Sequence, residues 1–226
     1  MAKIVICGDS FATPDIRCPA RHFSEILRDQ YHHTVINLAR GGISNIGICF
    51  QLETAIKIQP DILIVGTTDA DRMELVLSPF DITNGAKNIR YTHKISFSDR
   101  EYVGSASAPI ISDTIPTIIG EEDCLKDSYN IDPAIRYATK QYFSYVHNTE
   151  LKALIDSWAL DYWFYKANKV GITILELRKE FPIIYDDKTC RAEWIFHTDF
   201  QIQQDAANFL QEKILAIRLT SDINPV

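Results

Sequence analysis

Three short apolar runs punctuate the first seventy residues: 3–8, 33–38 (ending Val35-Ile36-Asn37-Leu38) and 61–66, Asp61-Ile62-Leu63-Ile64-Val65-Gly66. Continuous runs of this length, rich in β-branched residues, suit strands buried on both faces of a parallel sheet. Between them the spacing becomes helical. Phe23, Ile26 and Leu27 share a face within 20–31, and Ile46, Cys49, Phe50, Leu52 and Ile56 recur within 44–58. Ser44 or Asn45 can cap the second helix, and Pro60 stops it. The order β-α-β-α-β predicts right-handed crossovers, with helices packed on a parallel sheet.

From about residue 78 this alternation breaks. Pro79, Asn84-Gly85, Gly104, Pro109, Pro116 and Gly120 punctuate a stretch of mixed polarity, with a weak alternation over 89–97 that suits a hairpin strand. The stretch 78–130 reads as a long insertion of the kind that forms a lid. Helix returns over 133–168 in two pieces, restarting at Asn148-Thr149-Glu150. Its aromatic segment, Trp158 to Tyr165, reads mostly as core, with some members available to a substrate cleft. Ile172-Thr173-Ile174-Leu175 predicts a fourth strand, and Pro182-Ile183-Ile184-Tyr185 a short fifth element. A last helix follows over 201–217, with Ile202, Ala206, Phe209, Leu210 and Ile214 in an apolar stripe. The whole, 1–226, is expected to be one domain.

Composition narrows the function classes. Hydrophobic residues make up 46% and charged ones 23%, which is a folded globular balance. A net charge of -7 gives no electrostatic footprint for nucleic acid, nor for an anionic membrane surface. Five cysteines without short spacings argue against a disulfide framework and a zinc site. No run approaches a membrane span, and Met-Ala-Lys-Ile leads straight into a strand, so a reduced, cytoplasmic setting is the expectation.

Candidate chemistry gathers where strands end. Gly8-Asp9-Ser10 follows the first strand, Arg40-Gly41-Gly42 the second and Gly66-Thr67-Thr68-Asp69 the third, while His197 precedes the last helix. Parallel strands deliver the first three loops to one edge, where open α/β sheets bind ligands. A serine there needs a base, which a histidine supplies near neutral pH, and its oxyanion intermediate needs donors. The N–H groups of Ser10 and Gly42 and the Thr68 hydroxyl are candidates.

These blocks together, Ile6-Cys7-Gly8-Asp9-Ser10, Asn37-Leu38-Ala39-Arg40-Gly41-Gly42, Gly66-Thr67-Thr68-Asp69 and His197, resemble the SGNH (GDSL) hydrolase superfamily. The resemblance spans 3–75 and 170–217 and omits the insertion. It implies a flavodoxin-like three-layer αβα sandwich and ester hydrolysis or acyl transfer without cofactor or metal. It makes Ser10 the nucleophile, Gly42 an oxyanion donor, Asp69 the aspartate of the third block, and His197 the base. The substrate implied is a small acyl ester, for example an O-acetyl group on a carbohydrate. Two positions depart from the pattern. Thr68 stands where the family has an asparagine that donates to the oxyanion, a contribution of roughly 2.7–4 kcal/mol where such donors have been removed. Trp194 stands where the acid that orients the histidine is expected, three residues before it. Glu193 is the nearest substitute, ahead of Asp199, Asp186 and Asp187, and a Ser-His dyad oriented by a backbone carbonyl is the other solution.

Alternatives from the same residues are an acyltransferase, a catalytically weakened member that binds a ligand or partner, and a flavodoxin-like nucleotide binder. Asp9 reads as a structural hydrogen-bond acceptor. Asp69, Asp71 and Arg72 can form a local ion pair, and Arg40 can be solvated, paired or turned to an anionic substrate group. His32-His33 reads as a solvated pair, and His22, His93 and His147 are given no role. Oligomeric state is left open.

Overall fold

The runs 3–8 and 62–66 become strands with both alternating sets of their side chains buried, while 34–37 is only partly covered at the edge of the sheet. In the computed structural model, which describes residues 1–14, 21–40, 43–70, 72–74, 92–94, 114–119, 137–138, 141–142, 144–185 and 200–223, the strands are β1 (Lys3–Gly8), β2 (Thr34–Asn37), β3 (Ile62–Gly66), β4 (Arg72–Glu74), β5 (Thr92–Lys94), β6 (Thr114–Ile119) and β7 (Thr173–Glu176). Four of them, in the order β2-β1-β3-β7, form a parallel sheet. This is the flavodoxin-like order, with β1 at the centre and the chain reversing direction of growth between β2 and β3.

Helices cover both faces. Ile4 and Ile6 of β1, with Ile62, Ile64 and Leu175 beside them, face α1 (Phe23–Asp29) and α5 (Phe200–Ile223) through Phe23, Ile26, Leu27, Ala206, Leu210 and Ile214. Val5, Cys7, Leu63 and Val65 face α2 (Asn45–Ile58) and α3 (Thr149–Lys169) through Ile48, Leu52, Ala55, Leu160 and Ala167. The fold is therefore an α/β three-layer sandwich, as the continuous apolar runs require.

Local signals fix the helix ends. Ser44 is the N-cap of α2: its Oγ accepts the N–H groups of Ile46 and Gly47, while Asn45 turns its side chain elsewhere. Gln59 ends that helix in the left-handed conformation, at φ 53°, just before Pro60. His22 caps α1, accepting the Ser24 N–H at Nδ1 while Glu25 accepts the His22 N–H in return.

Several expectations change on inspection of the structure. His33 is buried, not solvated. Its Nδ1 accepts the Ala2 N–H at 3.1 Å and its Nε2 meets Gln211 Oε1 at 2.7 Å, so it ties the start of β1 to α5. Its neighbour His32 is exposed, with φ 58°. The short element expected at 182–185 is a 3-10 turn, and α5 runs on to Ile223. Leu177–Glu180 is a short helix, α4. In the stretch read as an insertion, β6 pairs antiparallel with both β4 and β5, and β5 lies within the weakly alternating 89–97. Among the described residues no helix is long and apolar enough to cross a membrane.

Cys7 and Cys49 are buried thiols in the core between the sheet and α2, and burial pushes the Cys7 thiol well above its ordinary pKa. Native protein treated with a thiol-specific disulfide reagent should leave both unmodified, and guanidinium should expose them together. Rapid native modification mapped to Cys7 would contradict the packing of β1.

Candidate active site at the carboxyl edge of the sheet

The carboxyl edge is assembled around a strand end that has no side chain. Gly8 closes β1 opposite Gly66, which closes β3. Its φ is +154°, and a Cβ there would stand 2.7 Å from the Gly66 carbonyl oxygen and 2.9 Å from Ala12 Cβ. Only glycine lets β1 turn here at this distance from β3. A buried glutamine on α2 then pins the same peptide from the other face. Gln51 Oε1 accepts the Gly8 N–H at 2.7 Å, and Gln51 Nε2 donates to the Gly8 carbonyl at 3.3 Å. The Arg40 N–H also donates to that carbonyl, at 2.9 Å.

Ser10 opens a 3-10 turn, Ser10–Ala12, directly beyond this point. Asp9 is the cap of the turn. It is buried, and its Oδ1 accepts the Phe11 N–H at 3.0 Å, which is the structural acceptor role expected of it. Ser10 itself is half-buried, and its hydroxyl has no hydrogen bond to a described residue. Asn37, at the end of β2, braces the turn: Nδ2 donates to the Ala12 carbonyl at 2.8 Å, and Oδ1 accepts the Ala39 N–H at 2.9 Å. The loops after β1 and β2 are thus bonded to each other.

The loop after β3 is held differently. Asn45, the first residue of α2, pairs with Thr68 as a neighbouring strand would. Its Oδ1 accepts the Thr68 N–H at 2.9 Å and its Nδ2 donates to the Thr68 carbonyl at 2.8 Å. The same Nδ2 lies 3.2 Å from Oδ2 of Asp156, a buried carboxylate of α3 whose Oδ1 pairs with Lys152 at 2.5 Å. The desolvated charge is matched by an ammonium and an amide, which is what a buried carboxylate needs. The Thr68 hydroxyl is buried too and has no hydrogen-bond partner among the described residues. Asp69, by contrast, is exposed and forms an ion pair with Arg178 of α4, 2.8 Å away, while Asp71 and the Arg72 side chain, its partners in the local pair read from sequence, lie outside the described residues. That contact joins the loop after β3 to the element following β7.

Ser10, Thr68 and Asp69 therefore lie on loops at one edge of adjoining strands. Gly42, Glu193 and His197 lie outside the described residues, as does the Gly41-Gly42 turn as a whole. Two described histidines are committed elsewhere: His33 as above, and His22, whose Nδ1 meets Ser24 and whose Nε2 meets the Phe11 carbonyl. Among the described residues no group of three His, Cys, Asp or Glu could hold a metal ion. Residues not singled out from sequence are Gln51, Asp156 and Arg178. The first two carried a signal: each is a polar residue on the apolar face of its helix, Gln51 beside Leu52 and Ile48, Asp156 four residues before Leu160.

No family model matches the chain, and no curated protein does. Among solved structures, it is similar to a candidate lipolytic protein of the G-D-S-L family from Desulfitobacterium hafniense DCB-2. The match covers 93% of this chain and 98% of that one, at 10% identity and a TM-score of 0.37.

The Gly8→Ala variant tests the strand-end geometry. Forcing a Cβ against the Gly66 carbonyl at that backbone angle is expected to cost about 2–4 kcal/mol. Urea denaturation reads it as a lower midpoint at unchanged slope. A loss below about 0.5 kcal/mol, the scale of an ordinary surface change, would contradict it.

Proposed function

We propose that the protein is a serine hydrolase of SGNH type acting on a small acyl ester, with Ser10 as nucleophile. The observation that carries the reading is the placement of Ser10. It is the second residue beyond the glycine end of the central strand, opening a turn braced by Asp9 and Asn37. A hydroxyl so held loses little orientational freedom when it attacks, which is the advantage of building a nucleophile on a rigid scaffold.

In this mechanism the Ser10 oxygen attacks the ester carbonyl carbon while His197 takes its proton. The N–H groups of Ser10 and Gly42 hold the oxyanion. Collapse expels the alcohol, which receives the proton from the imidazole. Water, activated by the same base, then releases the acyl group. Glu193 is the residue offered to orient His197, with a backbone carbonyl as the substitute. Asp69 has a second duty as the partner of Arg178, fixing the loop after β3. An O-acetyl ester on a carbohydrate is the substrate class favoured. The setting proposed is cytoplasmic, with no cofactor, metal or nucleic acid in the reaction.

The buried Thr68 hydroxyl favours one further reading. Its oxygen lies inside the protein, so the third oxyanion donor of the family pattern is withheld in this conformation. Turnover would then be slow, and at the limit the protein binds an ester more than it cleaves it. The donors left at the edge are backbone groups. A nucleotide-binding reading is less well supported, because Ser44 Oγ already occupies two of the N–H groups that the start of α2 would offer a phosphate.

Hydrolysis of p-nitrophenyl acetate by the wild type should exceed that by Ser10→Ala by at least about 1,000-fold in kcat, the scale on which nucleophile loss acts in serine hydrolases. Added alcohols that raise ester formation at the expense of acetate would assign an acyltransferase. Equal rates for wild type and Ser10→Ala would refute the proposal.

A further inference from the structure

Helix α3 is apolar on the wrong side. Its inner face, with Asp156, Leu160 and Ala167 buried, packs against α2 and the sheet. Its outer face should be polar, yet Leu151, Leu154, Ile155, Trp158, Tyr162 and Tyr165 are between 43% and 62% exposed. Tyr165 stands about 180° around the helix from Asp156. The aromatic residues expected to fill the core thus divide. Trp163 and Phe164 are partly buried, whereas Trp158, Tyr162 and Tyr165 project outward. A contiguous apolar stripe of this kind marks an interaction surface.

Its spacing says what fits it. Leu151, Ile155, Trp158, Tyr162 and Tyr165 succeed one another at steps of four, three, four and three. That is the seam of a two-helix coiled coil, in which each side chain inserts between residues of a facing helix. With those residues at the seam positions, Asp161 and Lys166 border it on opposite sides, five residues apart. In a parallel pair, the acidic border of one helix meets the basic border of the other at this interval. An antiparallel pair would set Asp161 against Asp161 and Lys166 against Lys166. Neither residue has an ion-pair partner within 4 Å among the described residues, although the Asp161 carboxylate adds to the field that raises the pKa of Lys179, whose direct partner is Glu176. Tyr162 is already oriented, edge-on to Trp163 at 5.2 Å and beneath Lys166 at 5.4 Å.

We infer that the outer face of α3 docks the same face of a second copy of this chain. The pairing is parallel, with Trp158 and Tyr162 at its centre and Asp161 facing Lys166 across it. The two-fold axis lies along the helices, so both carboxyl edges of the sheets point the same way. This inference is independent of the proposed hydrolysis.

Sedimentation equilibrium of the full chain over about 1–100 μM should show a monomer–dimer equilibrium. Tyr162→Glu should raise the dissociation constant at least about 30-fold, because central aromatic residues dominate such interfaces. Its circular dichroism and melting temperature as a monomer should be unchanged, since the side chain is exposed. Asp161→Lys and Lys166→Asp should each weaken the dimer, and the double variant should recover it to within a few-fold. A wild type that stays monomeric throughout overturns the inference. So does a dimer indifferent to Tyr162→Glu, or one that the double variant fails to restore. A monomer that instead co-sediments with phosphatidylcholine–phosphatidylglycerol vesicles also overturns it, and assigns the stripe to a lipid surface.

Discussion

The architecture of the candidate site depends on β1 passing β3 with no side chain between Gly8 and Gly66. Close approach of two backbones is what allows the chain to turn immediately after the strand, so that Ser10 follows the sheet edge without an intervening loop. The turn is then held from three sides by different chemistry. Gln51 bonds both polar groups of the Gly8 peptide, Asp9 caps the turn, and Asn37 reaches over from β2 to the Ala12 carbonyl. Each of these bonds satisfies a backbone group that burial would otherwise leave costly, so the arrangement serves stability and positioning together.

The loop after β3 follows the same logic with a charged component. Asn45 substitutes for a missing neighbouring strand at Thr68, and its amide also faces the buried Asp156–Lys152 pair. A second ion pair, Asp69 with Arg178, ties the exposed end of that loop to α4. Three helices, α2, α3 and α4, and three strand ends are therefore linked at one edge. Removing the Asn45 amide would leave polar groups in the loop after β3 and on α3 unmatched, which is why its side chain is better spent here than on capping α2, a role Ser44 fills.

The sheet was legible in the sequence because strands buried on both faces need unbroken apolar runs, and helix starts carry their caps. The loops after β1, β2 and β3 were legible because α/β folds gather ligands at strand carboxyl ends, and Gly8, Ser10, Asn37 and Thr68 fall there. What escaped were partners distant in sequence. Nothing local tells that Asp69 meets Arg178 or that Asn45 reaches Thr68, since chain crossings set both. His33 was misjudged because a polar pair before a strand looks solvated until α5, some 178 residues on, supplies Gln211. The aromatic run of α3 was misjudged for a related reason. Hydrophobicity marks burial, but it does not say whether the covering surface belongs to the same molecule.

The reading of the carboxyl edge comes down to whether the hydroxyl beyond Gly8 is chemically activated. The most direct measurement is reaction with a fluorophosphonate followed by peptide mass mapping of the adduct. A single adduct on Ser10, formed by folded protein and abolished by denaturation, is the expected result. No adduct, or one placed on another residue while Ser10 stays free, would contradict the account.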